Sequence, residues 1–86
     1  MTITTELLAN RKFLNSTATV NFSLTSNNGV IRIVSNTGTS TLLKDNGSGT
    51  YLTYATVLVG ESKEAINCFV GNYRITGTDF NYEYAD

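Results

Sequence analysis

The chain has 86 residues, enough for one domain, and a formal net charge of −1 from six basic and seven acidic residues. It contains no histidine, proline or tryptophan, and its one cysteine is Cys68. Those absences exclude a disulfide within the chain, a metal site of the usual His/Cys kind and any catalytic device that needs an imidazole.

The charges are scattered. Arg11-Lys12 are the only adjacent bases, so the basic stripe of a nucleic-acid binder is missing. No run approaches the ~18 apolar residues of a membrane-crossing helix. The start, Met1-Thr2-Ile3-Thr4-Thr5-Glu6, lacks the basic and then apolar order of a secretory signal. The expectation is a protein made without one, and no insertion into a membrane. Asn15, Asn21 and Asn46 open Asn-x-Ser/Thr sequons, as chance supplies in a chain this rich in Thr, Asn and Ser.

Residues 1–16 read as an N-terminal arm or short helix, and residues 17–86 as a single antiparallel β domain. Ile3, Leu7, Leu8 and Leu14 fit one helical face. Asn10-Arg11-Lys12 equally suits a turn between two extended pieces. From residue 17 the apolar period is two: Val20, Phe22 and Leu24 alternate with polar neighbours. Asn28-Gly29 then offers the chemistry of a type I′ hairpin. A two-residue loop there predicts Leu24 opposite Ile33, with Val20, Phe22, Leu24, Ile31 and Ile33 on one face.

A second hairpin is predicted across residues 45–49, joining 39–44 to 50–59 with Leu43 opposite Leu52. The run Tyr51–Val59 is apolar on both faces and reads as the central strand. The charged stretch 60–64 follows as a loop. A third hairpin is predicted across Gly71-Asn72, pairing Cys68 with Ile75 and placing Ile66, Cys68, Val70, Tyr73 and Ile75 on one face. Phe80, Tyr82 and Tyr84 alternate in a last, edge strand. Thr, Asn, Ser and Gly make up 38 of the 86 residues, which suits short strands and turns. The expected fold is all-β: a small antiparallel sandwich or open barrel of about seven strands built from consecutive hairpins.

The chemistry-bearing residues are few. Glu61, Glu64, Asp45, Asp79 and Glu83 fall in turns or at the tail, where solvent keeps a carboxylate ordinary and unsuited to acid–base work. Asp45-Asn46-Gly47-Ser48-Gly49 lacks the alternating ligands and distal glutamate of a calcium loop. No cofactor or metal is expected, and Cys68 reads as a buried inert thiol. The tyrosines are the suggestive set, because amphipathic rings favour protein interfaces and sugar stacking.

The expected function is therefore non-enzymatic. The chain reads as a structural or assembly protein, a small subunit of a larger particle such as a capsid-decorating, fibre or tail component of a virus or phage. Its partner is protein, as a homo-oligomer or within a larger assembly, and its location the virion or another particle. The motives are small size, missing catalytic groups and strand edges with little lysine and no proline to protect them. The alternative is a small carbohydrate-binding module. Candidate contacts for protein or glycan are Tyr51, Tyr54, Asp45, Asn46, Tyr82 and Tyr84. A small inhibitor docking through one edge is a third, less specific reading.

Overall fold

The structure, a computed structural model, describes residues 14–85. They form eight strands: β1 (Leu14–Ser16), β2 (Val20–Leu24), β3 (Gly29–Ser35), β4 (Ser40–Asp45), β5 (Tyr51–Val57), β6 (Ser62–Cys68), β7 (Gly71–Thr76) and β8 (Phe80–Ala85). All pairings are antiparallel, and the strands build two four-stranded sheets. The first has the order β1-β8-β3-β6 and the second β2-β7-β4-β5. The fold is an all-β sandwich. The helix-or-arm reading of residues 3–14 lies outside the described residues, except that Leu14 opens β1, which pairs with β8.

The pairing has a simple logic. β1 pairs with β8, β2 with β7, β3 with β6 and β4 with β5. A chain doubled once into a long hairpin makes those four pairs. Wrapping that hairpin into two layers adds β3·β8 and β4·β7. This is the strand order of a jelly roll.

The consecutive-hairpin topology is thereby corrected. Among the described strands only β4 and β5 are sequence neighbours that pair, with Lys44 opposite Leu52 and Leu43 opposite Thr53, one residue from the expected register. β2 and β3 lie in different sheets, as do β6 and β7. A type I′ turn needs positive φ at Asn28 and Gly29. Neither has it; among the described residues the only non-glycine with positive φ is Asn67. Instead Leu24 pairs with Gly71 and Ile33 with Lys63 and Tyr82.

The inward face survives this change. Phe22, Leu24, Ile31 and Ile33 are buried and Val20 packs beside them. The two sets meet across the core from opposite sheets rather than side by side in one. Leu42, Val57, Cys68, Tyr73, Ile75 and Phe80 complete the core. Phe22 stacks on Tyr84 with centroids 4.2 Å apart.

Two β-bulges reset the alternation. Between Leu42 and Leu43 the partner strand advances from Ala55 to Thr53, so Tyr54 is the extra residue of β5. Between Gly29 and Ile31 it advances from Cys68 to Ala65, three residues against two. Asn67 sits there at φ 56°, in the left-handed region that asparagine tolerates. Ala65 and Cys68 both reach the core, and Ile66 is turned out at 55 % exposure. The expected shared face of Ile66, Cys68, Val70, Tyr73 and Ile75 is corrected accordingly, since Val70 is also exposed.

Ser35 and Ser40 are the buried hydroxyls of the core. Ser35 Oγ hydrogen bonds with Ser40 Oγ and donates to the Val57 carbonyl, both at 2.8 Å. Ser35→Ala removes the donor to that carbonyl and the partner of the buried Ser40 hydroxyl. The expected loss is about 1–3 kcal/mol, measured as a lower urea midpoint at unchanged slope.

Candidate assembly interface

The expected central strand is an edge, and the expected edge strand is internal. β5 ends the second sheet and β6 the first, while β8 lies between β1 and β3. β5 and β6 are joined by a short link over Leu58, Val59, Gly60 and Glu61, so one side of the sandwich carries two edges with no strand partner among the described residues. Between them lies a groove of about 300 Å³ floored by core residues, among them Ile31, Ile33, Leu42 and Val57. Lys63 of β6 spans its mouth and donates to the Thr56 carbonyl of β5 at 2.7 Å.

Most of the exposed large apolar side chains lie on β5, β6 and the links that follow them. Eight described residues belong to that class, and seven of them fall within residues 52–70: Leu52, Tyr54, Leu58, Val59, Ile66, Phe69 and Val70. Leu14 is the eighth. Phe69 is the most open at 66 %. Solitary surface leucines are unremarkable, but soluble monomers rarely gather apolar surface into a large patch without a partner.

The backbone beneath these side chains is held firmly. In the link between β5 and β6, the Glu61 amide donates to the Leu58 carbonyl and the Glu61 carboxylate accepts from the Leu58 amide, each at 2.9 Å. The Gly60 amide donates to the Ser35 carbonyl at 2.8 Å, with Gly60 at φ 80°. In the link between β6 and β7, the buried Tyr73 hydroxyl donates to the Phe69 carbonyl at 2.7 Å. The Val70 amide donates to Asn27 Oδ1 at 2.9 Å. The apolar side chains thus stand on backbone that is already ordered, which lowers the entropy lost on docking.

The candidate tyrosines separate. Tyr54, the bulged residue of β5, is 47 % exposed and sits edge-on to Tyr73 with centroids 6.0 Å apart. It alone among them belongs to the apolar side. Tyr51 lies under the Arg74 guanidinium, 4.0 Å from its ring centroid, and Arg74 Nε also donates to Asn21. Tyr82 and Tyr84 turn inward and pack against the core. Asp45 accepts from the Gly47 and Gly49 amides at 2.9 Å each. Asn46 Oδ1 accepts from the Ser48 amide and hydroxyl. Both side chains shape their own loop. Beside them is a polar cleft of about 320 Å³, bounded by Lys44–Gly47 and Val70–Asn72.

Leu58, Val59, Ile66 and Phe69 were not among the sequence candidates. One signal pointed to them. Val59-Gly60 and Val70-Gly71 place apolar pairs directly against turn glycines, where polar residues usually stand.

Titration behaviour follows from this packing. Burial, then the neighbouring Cys68 and Tyr54, pushes the Tyr73 phenol from 10.0 up to about 12. The fold favours the neutral phenol, so its contribution is intact below pH 10 and is lost as pH rises toward 12. One tyrosine is expected to titrate late in tyrosinate absorbance while the denaturation midpoint falls over that window. Burial also raises the Cys68 thiol, in keeping with an inert side chain. On the acid side, the Gly49 and Gly47 amides hold Asp45 below 3.8, and Asn15 with Asn36 do the same for Asp79. Their contributions are present above that value and fade as pH falls through the lowered folded-state values.

The chain matches no family model, no curated protein and no solved structure.

Proposed function

We propose that this protein is a non-enzymatic assembly subunit that joins its partner through the β5–β6 side of the sandwich. The observation that carries the reading is that seven exposed large apolar side chains fall within residues 52–70, on and after two strand edges that have no partner among the described residues. The bulges at Tyr54 and Asn67 twist those edges and interrupt any long strand pairing. The contact is therefore one of side chains, with Phe69, Leu58, Val59 and Tyr54 as anchors and the groove between β5 and β6 as their receiving surface. A homo-oligomer or a larger particle, a virion among them, is the setting for such a subunit. Jelly rolls serve capsids and lectins alike, so the fold by itself is neutral between the two classes.

A carbohydrate-binding module is the second reading. It draws on the polar cleft beside Asp45 and Asn46 and on the exposed ring of Tyr54. It is the weaker one, since Asp45 Oδ1 and Asn46 Oδ1 already accept from the loop's own amides.

Light scattering on the eluting protein across a micromolar concentration series separates them. The assembly reading expects a mass above that of one chain. A single-chain mass throughout, together with hits on a glycan array that vanish in Tyr54→Ala, would transfer the assignment to the second reading.

A further inference from the structure

The chain holds two Asn-Gly dipeptides, Asn28-Gly29 and Asn46-Gly47. An asparagine before glycine can close a ring on its own main chain, because no side chain on the glycine blocks the approach of its nitrogen to the amide carbon. The fold treats the two dipeptides differently. Gly29 opens β3, and a Cβ there would lie 2.6 Å from Leu24 Cδ1 and 3.2 Å from the Ala85 carbonyl oxygen. Gly47 sits in the exposed loop between β4 and β5 at φ 97°. Apart from its chain neighbours, no described residue comes within 4 Å of where its Cβ would stand.

The reacting groups of the second dipeptide already touch groups that suit the reaction. The Gly47 amide, which would be the nucleophile, donates to Asp45 Oδ1 at 2.9 Å. An amide nitrogen is a poor nucleophile until its proton leaves, and a carboxylate within hydrogen-bond reach is placed to take it. The Asn46 side-chain oxygen, where charge develops, accepts from the Ser48 amide at 3.0 Å and from the Ser48 hydroxyl at 2.7 Å. Two donors on an oxygen that becomes anionic make the arrangement of an oxyanion hole. The Gly49 and Gly47 amides hold Asp45 below the usual carboxylate range. It is therefore ionised at neutral pH and acts through its position rather than its basicity.

We propose that Asn46 is a self-modifying site, converted to aspartate and isoaspartate by Gly47 N as nucleophile, with Asp45 accepting the proton and Ser48 holding the oxygen. Gly47 N forms a bond to Asn46 Cγ, and its proton passes through Asp45 to the departing side-chain nitrogen. The Cγ–Nδ2 bond breaks and ammonia leaves, which gives a cyclic imide. Water then adds to one imide carbonyl or the other. Opening one side restores the main chain with an aspartate at position 46. Opening the other routes the main chain through the side-chain carbon and leaves the original carbonyl carbon as a free carboxylate. Neither step changes an oxidation state, and water is the sole co-reactant. Both products set a second carboxylate next to Asp45, beside the cleft bounded by Lys44 and Asn72. The inference rests on this loop and is independent of the assembly reading.

The test incubates the folded wild-type chain, and a second sample unfolded in urea, at mildly alkaline pH. Each dipeptide is followed by peptide mass mapping with fragmentation, and isoaspartate by its enzymatic methylation. In the folded chain Asn46 is expected to convert at least about tenfold faster than Asn28, and faster than Asn46 itself converts in urea. Asp45→Asn keeps an acceptor oxygen for the loop amides and removes the proton acceptor. It is expected to slow conversion at Asn46 at least about tenfold, while its denaturation midpoint confirms that the chain is folded. Conversion at Asn46 no faster in the folded chain than in urea, or an unchanged rate in folded Asp45→Asn, would overturn the proposal.

Discussion

Tyr73→Ala is expected to leave little folded protein at room temperature. Tyr73 is fully buried, stacks against Phe22 at 5.7 Å and meets Tyr54 edge-on at 6.0 Å. Truncating a buried aromatic side chain costs about 3–5 kcal/mol. A domain of 86 residues has roughly 4–13 kcal/mol in total, so this one change removes a large share of it. The ring also carries the hydroxyl that holds the Phe69 carbonyl. Tyr73→Phe separates the two roles. It keeps the packing, loses that hydrogen bond at about 1 kcal/mol, and frees the link that presents Phe69. The pair is read by denaturant midpoints. Equal losses in the two variants would mean that the hydroxyl, and not the ring, dominates.

The second large effect concerns association. Phe69→Glu and Val59→Glu place charges at opposite ends of the β5–β6 side, on residues that are 66 % and 58 % exposed. Substitutions at such positions leave stability within about 0.5 kcal/mol. Within an interface, by contrast, losing an aromatic anchor costs about 2–4 kcal/mol, which is roughly 30- to 1000-fold in the dissociation constant. The expected outcome is a folded chain with unchanged denaturation and no measurable association in sedimentation. Leu14→Glu, on the far side of the sandwich, serves as the control and is expected to associate like the wild type.

The sequence carried the fold class and most of the core, and its failures have physical causes. Val20, Phe22 and Leu24 alternate with the same period whether their apolar partners Ile31 and Ile33 sit beside them in one sheet or face them from another. Periodicity therefore identified the inward side chains and left the topology open. Asn28-Gly29 permits a tight hairpin, but β2 pairs instead with β7, and β3 with β8 and β6. A local turn preference worth little was overridden by tertiary packing.

The interface was hidden by a similar ambiguity. Tyr51–Val59, apolar on both faces, is what a central strand looks like and also what an edge strand with a partner looks like. The bulge at Tyr54 and the left-handed Asn67 decide which side chains point outward, and neither is marked by a glycine. Tyr82 and Tyr84 illustrate the reverse. Their alternation with Phe80 was legible, and the same alternation carried all three into the core.

The central claim is that the β5–β6 side is where the partner sits. Amide hydrogen exchange, compared between dilute and concentrated protein, tests it most directly. Slower exchange at high concentration, confined to residues 52–70 and including Tyr54, Leu58, Ile66 and Phe69, is the result predicted. Slowing along β1 and β2 instead, or no change at any concentration, would contradict it.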